Sequence, residues 1–462
     1  MNIDVLFDPK SVAVIGASRD PSKIGHVLLR NFIEGGFRGE VYPINPKTDE
    51  ILGLKCYLSV KNVKEEVDLA VIAIPAKLVP EALRECGEKG VKGAIVISGG
   101  FSEVGNVELE NELKEVCLKY DIACLGPNCM GVINPLTRVD SVFIPTYKMG
   151  RPKLGGVSFI SQSGAIGGAV LDLMARQGFG MAKFVSYGNG AVIDETDLLK
   201  YMADDERTRT IVLYIEGVRR GREFFETLKG VTKRKPVVVL KGGKTAGGAV
   251  ATKSHTGSLA GNAEVYEAVF KQCRATEARS LDEVFSFSKL FESQPFCSGE
   301  RVGIVTNGGG LAVIAADSVE ENGLKLAELS PESVERIRER VPAYVNVKNP
   351  LDLSGDAGAE RFEVAINAML EDENVDSIVV GVLFQTESID SRVVSMIVGA
   401  SNLKRKPIVV VCPGGEYAEV HSRILENCGV PTYTSSSSAV RALRKLVDYS
   451  KFVDKSRELK SS

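Results

Sequence analysis

The chain of 462 residues contains no tryptophan and only three histidines, and its charges of opposite sign nearly cancel. Lys and Arg number 57 against 60 for Asp and Glu, so the formal net charge is −3. A chain without an excess of positive charge does not attract nucleic acid or an anionic membrane surface. We therefore expect neither of these as a partner.

Long apolar runs are missing as well. Segments such as LAVIAIP and PVVVLKGG are much shorter than the roughly 20 residues that a membrane-spanning helix needs. The opening residues MNID do not begin a basic and then apolar secretory leader. These absences predict a chain that stays in water, with the cytoplasm as its location.

The nine cysteines are scattered singly, without a C-x-x-C pair. An odd number without paired spacing argues against a disulfide framework and against a structural zinc site. We expect most of them to be small buried hydrophobic residues.

Short β-branched runs alternate with amphipathic stretches along the whole chain, as in SVAVIGA, DLAVIAIP, TIVLYIEG and PIVVVCPGG. Nearly continuous apolar strands that end in Gly, Ser, Asn or Pro are typical of parallel sheets with helices on both faces. The predicted class is α/β, and ligand sites are expected in the loops that follow the strands. Connector-like segments predict three domains, over residues 1–130, 131–292 and 299–462.

The first strand, glycine turn and helix, SVAVIGASRDPSKIGHVLL, resemble the entry of a Rossmann fold. The glycines Gly16 and Gly25 do not have the G-x-G-x-x-G spacing, and the second strand ends in Asn45-Pro46-Lys47, where an NAD site would have an acid. Lys47, with Arg19 or Lys23, suits the ribose 3′-phosphate of coenzyme A better than NAD. The alternative for Lys47 is a solvated turn lysine.

The motifs VAVIGAS, YPINPK, AIPA, ISGGFSEVG and LGPNCMGVINP, in this order, resemble the CoA-binding domain shared by succinyl-CoA synthetases and ADP-forming acyl-CoA synthetases. The resemblance extends over the whole chain. It implies a Rossmann-like first domain followed by two flavodoxin-like domains. It also implies CoA contacts at Gly16, Ser18, Arg19, Lys23, Gly25, Asn45, Lys47, Ile74, Pro75, Ser98, Gly99, Asn128 and Cys129.

His255 stands in the segment LKGGKTAGGAVATKSHTGSLAGN, which is rich in Gly, Ala, Ser and Thr. Such a composition favours a loop rather than a packed element, and it would give the imidazole freedom to visit two places. The resemblance implies that His255 carries a phosphoryl group and that Glu216 orients the ring. The alternatives are a surface-loop histidine and a solvated acid at the end of a strand. His26 is expected to be a residue of a helix face rather than a catalyst, and His421 is expected to be structural or on the surface.

Two strand-turn-helix segments could bind phosphate through helix N-termini. VSFISQSGAIGG contains Ser161, Ser163, Gly164 and Ala165, and RVGIVTNGGG ends in Asn307, Gly308, Gly309 and Gly310. The second segment resembles part of the succinyl-CoA synthetase β subunit, and we expect both helices to hold one phosphate. Ser161 and Ser163 could instead be simple helix caps.

The sequence has neither a G-x-x-x-x-G-K-[ST] motif nor a remaining segment long enough for an ATP-grasp domain. The chain therefore resembles the α subunit of archaeal ADP-forming acetyl-CoA synthetases. That family would convert acyl-CoA, ADP and phosphate into a small carboxylic acid, ATP and CoA through an acyl phosphate and a phosphohistidine. ADP or ATP and Mg²⁺ would bind a separate ATP-grasp β subunit, within an α₂β₂ heterotetramer.

Three other functions stay open at this stage. A CoA-binding regulatory protein without catalysis would have no need for His255, Glu216 or the two glycine turns. An NAD-dependent oxidoreductase is disfavoured by Asn45-Pro46-Lys47. A protein acyltransferase would carry an acetyltransferase domain that the sequence does not contain.

Overall fold

The computed structural model describes residues 1–250 and 261–461, with side chains described as far as residue 455. Contacts divide the chain into two compact units. The first unit contains Met1–Arg176 and Gly180–Arg279, and the second contains Gln177–Phe179 and Ser280–Ser462. Within the described ranges, we find no helix with the length and apolarity needed to cross a membrane.

The first unit begins with a five-stranded parallel sheet in the order β2-β1-β5-β6-β7. A two-stranded antiparallel hairpin, β3 with β4, lies outside this sheet. The strands are β1 (Ser11–Ile15), β2 (Glu40–Ile44), β3 (Glu50–Ile51), β4 (Leu54–Lys55), β5 (Leu69–Ile72), β6 (Gly93–Val96) and β7 (Ala123–Leu125). The helices are α1 (Asp4–Phe7), α2 (Ile24–Glu34), α3 (Val79–Lys89) and α4 (Val107–Tyr120).

A seven-stranded sheet completes the first unit, in the order β14-β13-β12-β10-β11-β8-β9. All its pairs are parallel except those that add β8 and β9 at one edge. The strands are β8 (Gly131–Asn134), β9 (Val139–Asp140), β10 (Lys153–Ser161), β11 (Gly180–Ser186), β12 (Thr210–Ile215), β13 (Val237–Lys241) and β14 (Thr276–Ala278). The helices are α5 (Gly164–Arg176), α6 (Glu195–Asp204), α7 (Gly221–Val231) and α8 (Ala263–Cys273).

The second unit is built on a six-stranded parallel sheet, in which β16-β15-β18-β19-β20 follow one another and β17 also pairs with β15. The strands are β15 (Arg301–Thr306), β16 (Lys325–Leu326), β17 (Leu351–Asp352), β18 (Ser377–Gly381), β19 (Ile408–Val411) and β20 (Thr432–Tyr433). The helices are α9 (Leu281–Ser293), α10 (Gly309–Glu321), α11 (Pro331–Arg338), α12 (Ala359–Glu371), α13 (Ser391–Asn402), α14 (Glu416–Asn427) and α15 (Ser436–Ser461).

The predicted α/β class with parallel sheets is confirmed. Strands such as β1, β5, β18 and β19 are buried along their whole length. This burial explains their unbroken apolar sequences, because each face of these strands is covered. The three predicted domain ranges remain a prediction, since the contacts group the first two sheets in one unit.

Helix α5 lies close against the second sheet because it presents glycine to an aromatic ring. A β-carbon on Gly167 would lie 2.7 Å from Cζ of Phe184. Phe184 is fully buried and its ring packs beside that of Phe159, with 5.9 Å between the centroids. The ring has no room to move away, so Gly167 sets the distance between α5 and the sheet.

We expect Gly167→Ala to destabilise the chain by about 1–3 kcal/mol, because the added methyl group overlaps a buried ring. Gly230→Ala is the matched control, since Gly230 lies in helix α7 with open space around its Cα. The control should be neutral or stabilising by up to about 1 kcal/mol through helix propensity. Urea unfolding followed by circular dichroism measures both, and equal midpoints for the two variants would contradict the close packing.

Candidate functional site

The residues predicted to contact CoA lie along the edge of the first sheet where its five parallel strands end. Gly16 follows β1, Asn45 follows β2, and Ser98 follows β6 by two residues. The remaining members follow these strands or β5 and β7, or begin helix α2; they are Ser18, Arg19, Lys23, Gly25, Lys47, Ile74, Pro75, Gly99, Asn128 and Cys129. Parallel pairing therefore brings most of the predicted set to one edge.

Hydrogen bonds tie these loops to one another. The Ser98 hydroxyl donates to the carbonyl of Ile74 at 2.5 Å and accepts the Ile74 N–H at 3.2 Å. The N–H of Asn128 donates to the Ser98 carbonyl at 2.9 Å. The Asn45 side chain donates to the Ala17 carbonyl at 2.7 Å. The loops after all five strands are thus hydrogen-bonded to at least one other loop of this edge.

Two glycines let the first loop and helix α2 approach closely. A β-carbon on Gly25 would lie 1.9 Å from the Gly16 carbonyl oxygen. Gly16 itself has a φ of +92°, and a β-carbon there would lie 2.4 Å from the Ala73 carbonyl oxygen. Both positions exclude any larger residue, because only glycine lets the first loop pack this closely against helix α2 and against the loop after β5.

The polar side chains at this edge differ in their freedom. Lys23 and Lys47 are exposed, whereas Arg19 donates through Nε to the Glu50 carbonyl at 2.9 Å. Arg19 also lines a cavity of about 430 Å³ with His26, Glu50, Ile51 and Leu52. The His26 ring is buried and its Nδ1 is hydrogen-bonded to the Ser18 carbonyl at 2.9 Å, as expected of a structural histidine.

Cys129 lies in the core although its neighbour Asn128 is exposed. Its thiol donates to the Val96 carbonyl at 3.3 Å, and burial raises the pKa of the thiol to about 12. The side chain is therefore an inert core group at neutral pH. Any contact of Cys129 with a ligand would have to come from its backbone.

In the second sheet, Ser161 ends β10 and Ser163 precedes α5. The Ser161 hydroxyl donates a hydrogen bond to the Ser163 carbonyl at 2.7 Å. The Ser163 hydroxyl accepts the Ile166 N–H at 3.4 Å, which is the geometry of a helix cap. The backbone of Gly164 and Ala165, which are half-buried and exposed, remains the part of this turn able to face an anion.

Glu216 follows β12 and is only 6% exposed. Its Oε1 accepts the Tyr214 hydroxyl at 3.1 Å, whereas its Oε2 is buried and has no hydrogen-bond partner among the described residues. Gln162 Oε1 accepts the backbone N–H groups of Glu216 at 2.7 Å and of Gly217 at 3.1 Å. The structure thus places Glu216 next to the Ser161–Ser163 turn with one carboxylate oxygen in need of a donor.

Gly242 begins the glycine-rich segment directly beside this acid. The expectation of a loop is wrong for residues 246–250 of this segment, because they are helical. A β-carbon on Gly242 would lie 2.7 Å from the Tyr214 hydroxyl oxygen and 3.4 Å from Cγ of Glu216. Residues 251–260, which include His255, are outside the described residues. Gly242 is therefore a described residue that relates this segment to Glu216.

Several residues at these edges were missed by the sequence analysis. They are Gln162, Tyr187, Asn189, Glu195 and Lys241. Asn189 joins the two sheets, because its amide donates to Glu103 at 2.7 Å and to Glu110 at 2.8 Å and its Oδ1 accepts from Asn128 at 3.3 Å. Their shared signal in the sequence is a polar residue within three positions of a strand end, or, for Glu195, at the start of a helix.

Tyr187 and Glu195 are two further buried polar residues, which follow β11 and begin α6. Neither the Tyr187 hydroxyl nor Oε1 of Glu195 has a hydrogen-bond partner in the described part of the chain. Burial, together with the neighbouring Asp194 charge, raises the pKa of Glu195 to about 7. The same burial and the Glu195 carboxylate raise the pKa of Tyr187 well above its usual value.

The predicted phosphate turn of the second unit follows β15. Asn307 is 1% exposed, and its amide is spent on the loop after β18, where it accepts the Leu383 N–H at 2.8 Å and donates to Thr386 Oγ1 at 3.0 Å. Gly308 precedes α10, and Gly309 and Gly310 are exposed in its first turn. A β-carbon on Gly309 would lie 2.9 Å from an Asp352 carboxylate oxygen, so an acid faces this turn.

His421 is structural, as expected. It is buried on α14, where its ring stacks on Phe384 with 4.5 Å between the centroids. Nδ1 is hydrogen-bonded to the Tyr417 carbonyl at 2.8 Å. The buried ring, packed against Phe384 and Tyr417, is therefore not exposed to a substrate.

Three family models match the chain in sequence order. They are a CoA binding domain over residues 10–135, a succinyl-CoA ligase like flavodoxin domain over residues 154–291 and a Ligase-CoA domain over residues 302–448. Together they cover most of the described chain. Their order agrees with the resemblance that the sequence motifs indicated.

Curated relatives and a solved structure extend this result. The "Acetate–CoA ligase [ADP-forming] I" of Archaeoglobus fulgidus is 44% identical over 98% of this chain, which spans 64% of that protein. The "Acetate–CoA ligase [ADP-forming] II subunit alpha" of Pyrococcus furiosus is 40% identical over 98% of both chains. The dinucleotide-forming acetyl-coenzyme A synthetase 1 of Ca. Korarchaeum cryptofilum, solved with phosphate and ADP, is 38% identical with a TM-score of 0.91 over 98% of this chain and 99% of that one. The chain therefore belongs to the family of ADP-forming acetate–CoA ligases.

Proposed function

We propose that the chain is the CoA-binding and phosphoryl-accepting subunit of an ADP-forming acyl-CoA synthetase, with acetyl-CoA as a substrate. The overall reaction is acyl-CoA + ADP + phosphate ⇌ carboxylate + ATP + CoA. The observation that carries the proposal is the buried Glu216 beside the start of the glycine-rich segment. Its Oε2 has no hydrogen-bond donor among the described residues. A non-catalytic CoA binder would not need an acid in that position.

The first step joins phosphate to the acyl group. A phosphate oxygen attacks the thioester carbonyl, the carbon–sulfur bond breaks, and CoA leaves as the thiolate, which takes a proton. The products are acyl phosphate and CoA. Backbone N–H groups at Gly164 and Ala165 are suited to stabilise the negative charge on phosphate, because helix N-termini attract anions.

The second step moves the phosphoryl group to His255. A ring nitrogen attacks phosphorus, the oxygen–phosphorus bond of acyl phosphate breaks, and the carboxylate leaves. The other ring nitrogen then carries a proton, and Oε2 of Glu216 is the buried acceptor that would bind it. Attack of an ADP oxygen on the phosphoryl group would regenerate His255 and form ATP.

The residues at the edge of the first sheet fit CoA. Gly16 and Gly25 let the first loop pack against the start of α2, whose N-terminal backbone N–H groups are suited to bind a phosphate group, and the exposed Lys47 and Lys23 provide positive charge nearby. CoA would supply the thiol that forms the thioester. Asn45 and Ser98 hold the loops that would surround it.

The nucleotide belongs, in this proposal, to a separate β subunit with an ATP-grasp domain. Two relatives from Pyrococcus furiosus that this chain covers almost completely are named as α subunits, which supports a partner chain. The described residues contain no group of three or more His, Cys, Asp or Glu able to hold a metal. We assign Mg²⁺ to the β subunit, and an α₂β₂ assembly to the complex.

The phosphorylation of His255 can be tested directly. Incubation of the full chain with acetyl-CoA and radiolabelled phosphate should give a protein label that is stable in base and lost in acid. His255→Asn should remove the label, because asparagine has no nucleophilic nitrogen. Glu216→Gln should slow its formation by about 10²-fold or more, as expected for a lost partner of a reacting imidazole.

His421→Asn is the matched control, since His421 is held between Phe384 and Tyr417 and should not be labelled. Its label should match that of the original chain. A label that persists in His255→Asn would disprove the proposal.

The CoA site can be tested by comparing CoA with 3′-dephospho-CoA in equilibrium dialysis. We expect dephospho-CoA to bind at least about tenfold more weakly, because a charge-assisted contact to the 3′-phosphate is worth about 1.5–3 kcal/mol. Lys47→Met should remove most of this difference.

Lys92→Met is the control for the loss of one surface charge. Lys92 is exposed and precedes β6, at the opposite end of the sheet from Lys47. It should keep the preference for CoA. Equal affinities of the unaltered chain for CoA and dephospho-CoA, or tighter binding of NAD, would contradict this site.

A further inference from the structure

Lys241 is an unusual residue because it buries a charge at the end of an apolar strand. It ends β13, in the segment RKPVVVLKGG, and its side chain is only 4% exposed. Nζ donates to the Glu216 carbonyl at 2.8 Å and to the Gly242 carbonyl. It also lies 4.6 Å from the centroid of the Tyr266 ring.

No carboxylate pairs with this ammonium in the part of the chain that the structure describes. The charged and titratable groups around it are Glu216 after β12, Tyr266 on α8, Tyr214 on β12, and Lys244 after β13. Lys244 is itself paired with Glu277 and Glu267. Lys241 therefore binds carbonyl oxygens and an aromatic face, which provide far less stabilisation than a buried carboxylate.

Strand β19 of the six-stranded sheet can be compared with β13, because their sequences are similar. The segments RKPVVVLKGG and RKPIVVVCPGG form β13 and β19, and in both of them the first lysine donates to two backbone carbonyls. Lys235 bonds to Met202 and Asp205, and Lys406 bonds to Met369 and Asp372. At the other end of the strand, Lys241 corresponds to Cys412. The first lysine thus makes the same kind of backbone contacts in both sheets. The lysine at the end of the strand has no equivalent in β19, and in β13 it lies beside Glu216.

We propose that Lys241 is a positioning residue for phosphoryl transfer, which clamps the Glu216 backbone to Gly242 at the start of the glycine-rich segment and places one positive charge at the strand edge that contains the Ser161–Ala165 turn. This inference rests on the proposed function. The clamp joins the residue whose carboxylate would orient the reacting ring to the first glycine of the segment in whose sequence His255 lies. A positive charge there also favours a site that must accept the charges of phosphate.

The charge is costly, and that cost points to function. Burial lowers the pKa of Lys241 to about 8, although the Glu216 carboxylate acts in the opposite direction, and Lys244 adds a smaller decrease. A lysine whose pKa is lower in the folded chain than in the unfolded chain opposes folding at neutral pH, and this opposition decreases as the pH rises above about 8. A lysine retained only for stability would have the opposite effect.

The pH dependence of the site follows from the same shift. Below about pH 8 the ammonium has three protons, and it can hold both carbonyls while keeping its charge. Above this pH it loses a donor and the charge, so the clamp weakens. The rate of phosphoprotein formation should fall as the pH rises through about 8.

The test measures the rate of label incorporation from acetyl-CoA and radiolabelled phosphate between about pH 6 and pH 9.5. This range lies on both sides of the pKa of about 8 of Lys241. Lys241→Met should reduce the rate at pH 7 by about tenfold or more and should remove the fall near pH 8. Lys241→Arg keeps its charge throughout this range, so it should recover part of the rate without the alkaline fall.

Lys235→Met is the matched control. It removes a lysine that also holds two carbonyls, at the opposite end of the same strand. The control should keep both the rate and its pH dependence, and Lys241→Met should melt no lower than the control. Thermal unfolding and CoA binding show whether each variant is folded.

The possible results separate this inference from the proposed function. No label in the unaltered chain would overturn both. A labelled chain whose rate is constant up to pH 9.5 would overturn only the role of Lys241, even if the Lys241 variants do not fold. So would a Lys241→Met variant that is labelled as fast as Lys235→Met.

Discussion

Strands that pair in parallel all run in the same direction, so the residues that follow them emerge at one edge of the sheet. This constraint brings Gly16, Asn45 and Ser98 together although 82 positions separate the first from the last. It also places Ser161 beside Glu216 and Lys241 at the edge of the second sheet. The helices that cover both faces bury the strands, and polar chemistry is left to the loops at the edge.

The same constraint sets the electrostatic character of the second edge. Glu216, Glu195 and Lys241 are all buried there, and none of them forms an ion pair with another described residue. A core that served stability alone would replace such groups with apolar side chains, because an unpaired buried charge is costly. Of the three groups, the Lys241 ammonium would favour phosphate, since charge interactions are stronger where water is excluded, whereas the two carboxylates would favour a proton donor or a cation. The cost of burying these groups therefore points to a role other than stability.

The sequence was sufficient to predict the α/β class, the family and the edges at which the candidate residues lie. Continuous apolar runs and glycines at their ends depend only on local geometry and on burial of both faces. Gly16 illustrates this, because its positive φ and the close approach of Ala73 leave no alternative residue. The domain ranges and the roles of the site residues remain predictions.

Side-chain partners could not be predicted from the sequence in the same way. Gln162 stands between two serines that the sequence indicated, yet it is the residue that binds the Glu216 backbone, through a contact 54 positions away. Cys129 was expected beside the ligand, but its side chain turns inward to Val96. Whether a side chain points into a core or a site depends on the neighbouring strand, and no local pattern encodes that choice.

The two predicted phosphate turns show how far a shared motif can differ in chemistry. Each has a strand, a small-residue turn and a helix, and in each the obvious polar side chain is already bonded, Ser161 to Ser163 and Asn307 to the loop after β18. Only backbone N–H groups remain to bind an anion, and these are alike in both turns. The difference therefore comes from the surroundings. A carboxylate lies near each turn, Glu216 at the first and Asp352 at the second, where it faces Gly309. The edge with the first turn also contains the buried ammonium of Lys241. Because an ammonium offsets the repulsion between a carboxylate and phosphate, we expect the first turn to bind an anion more strongly than the second.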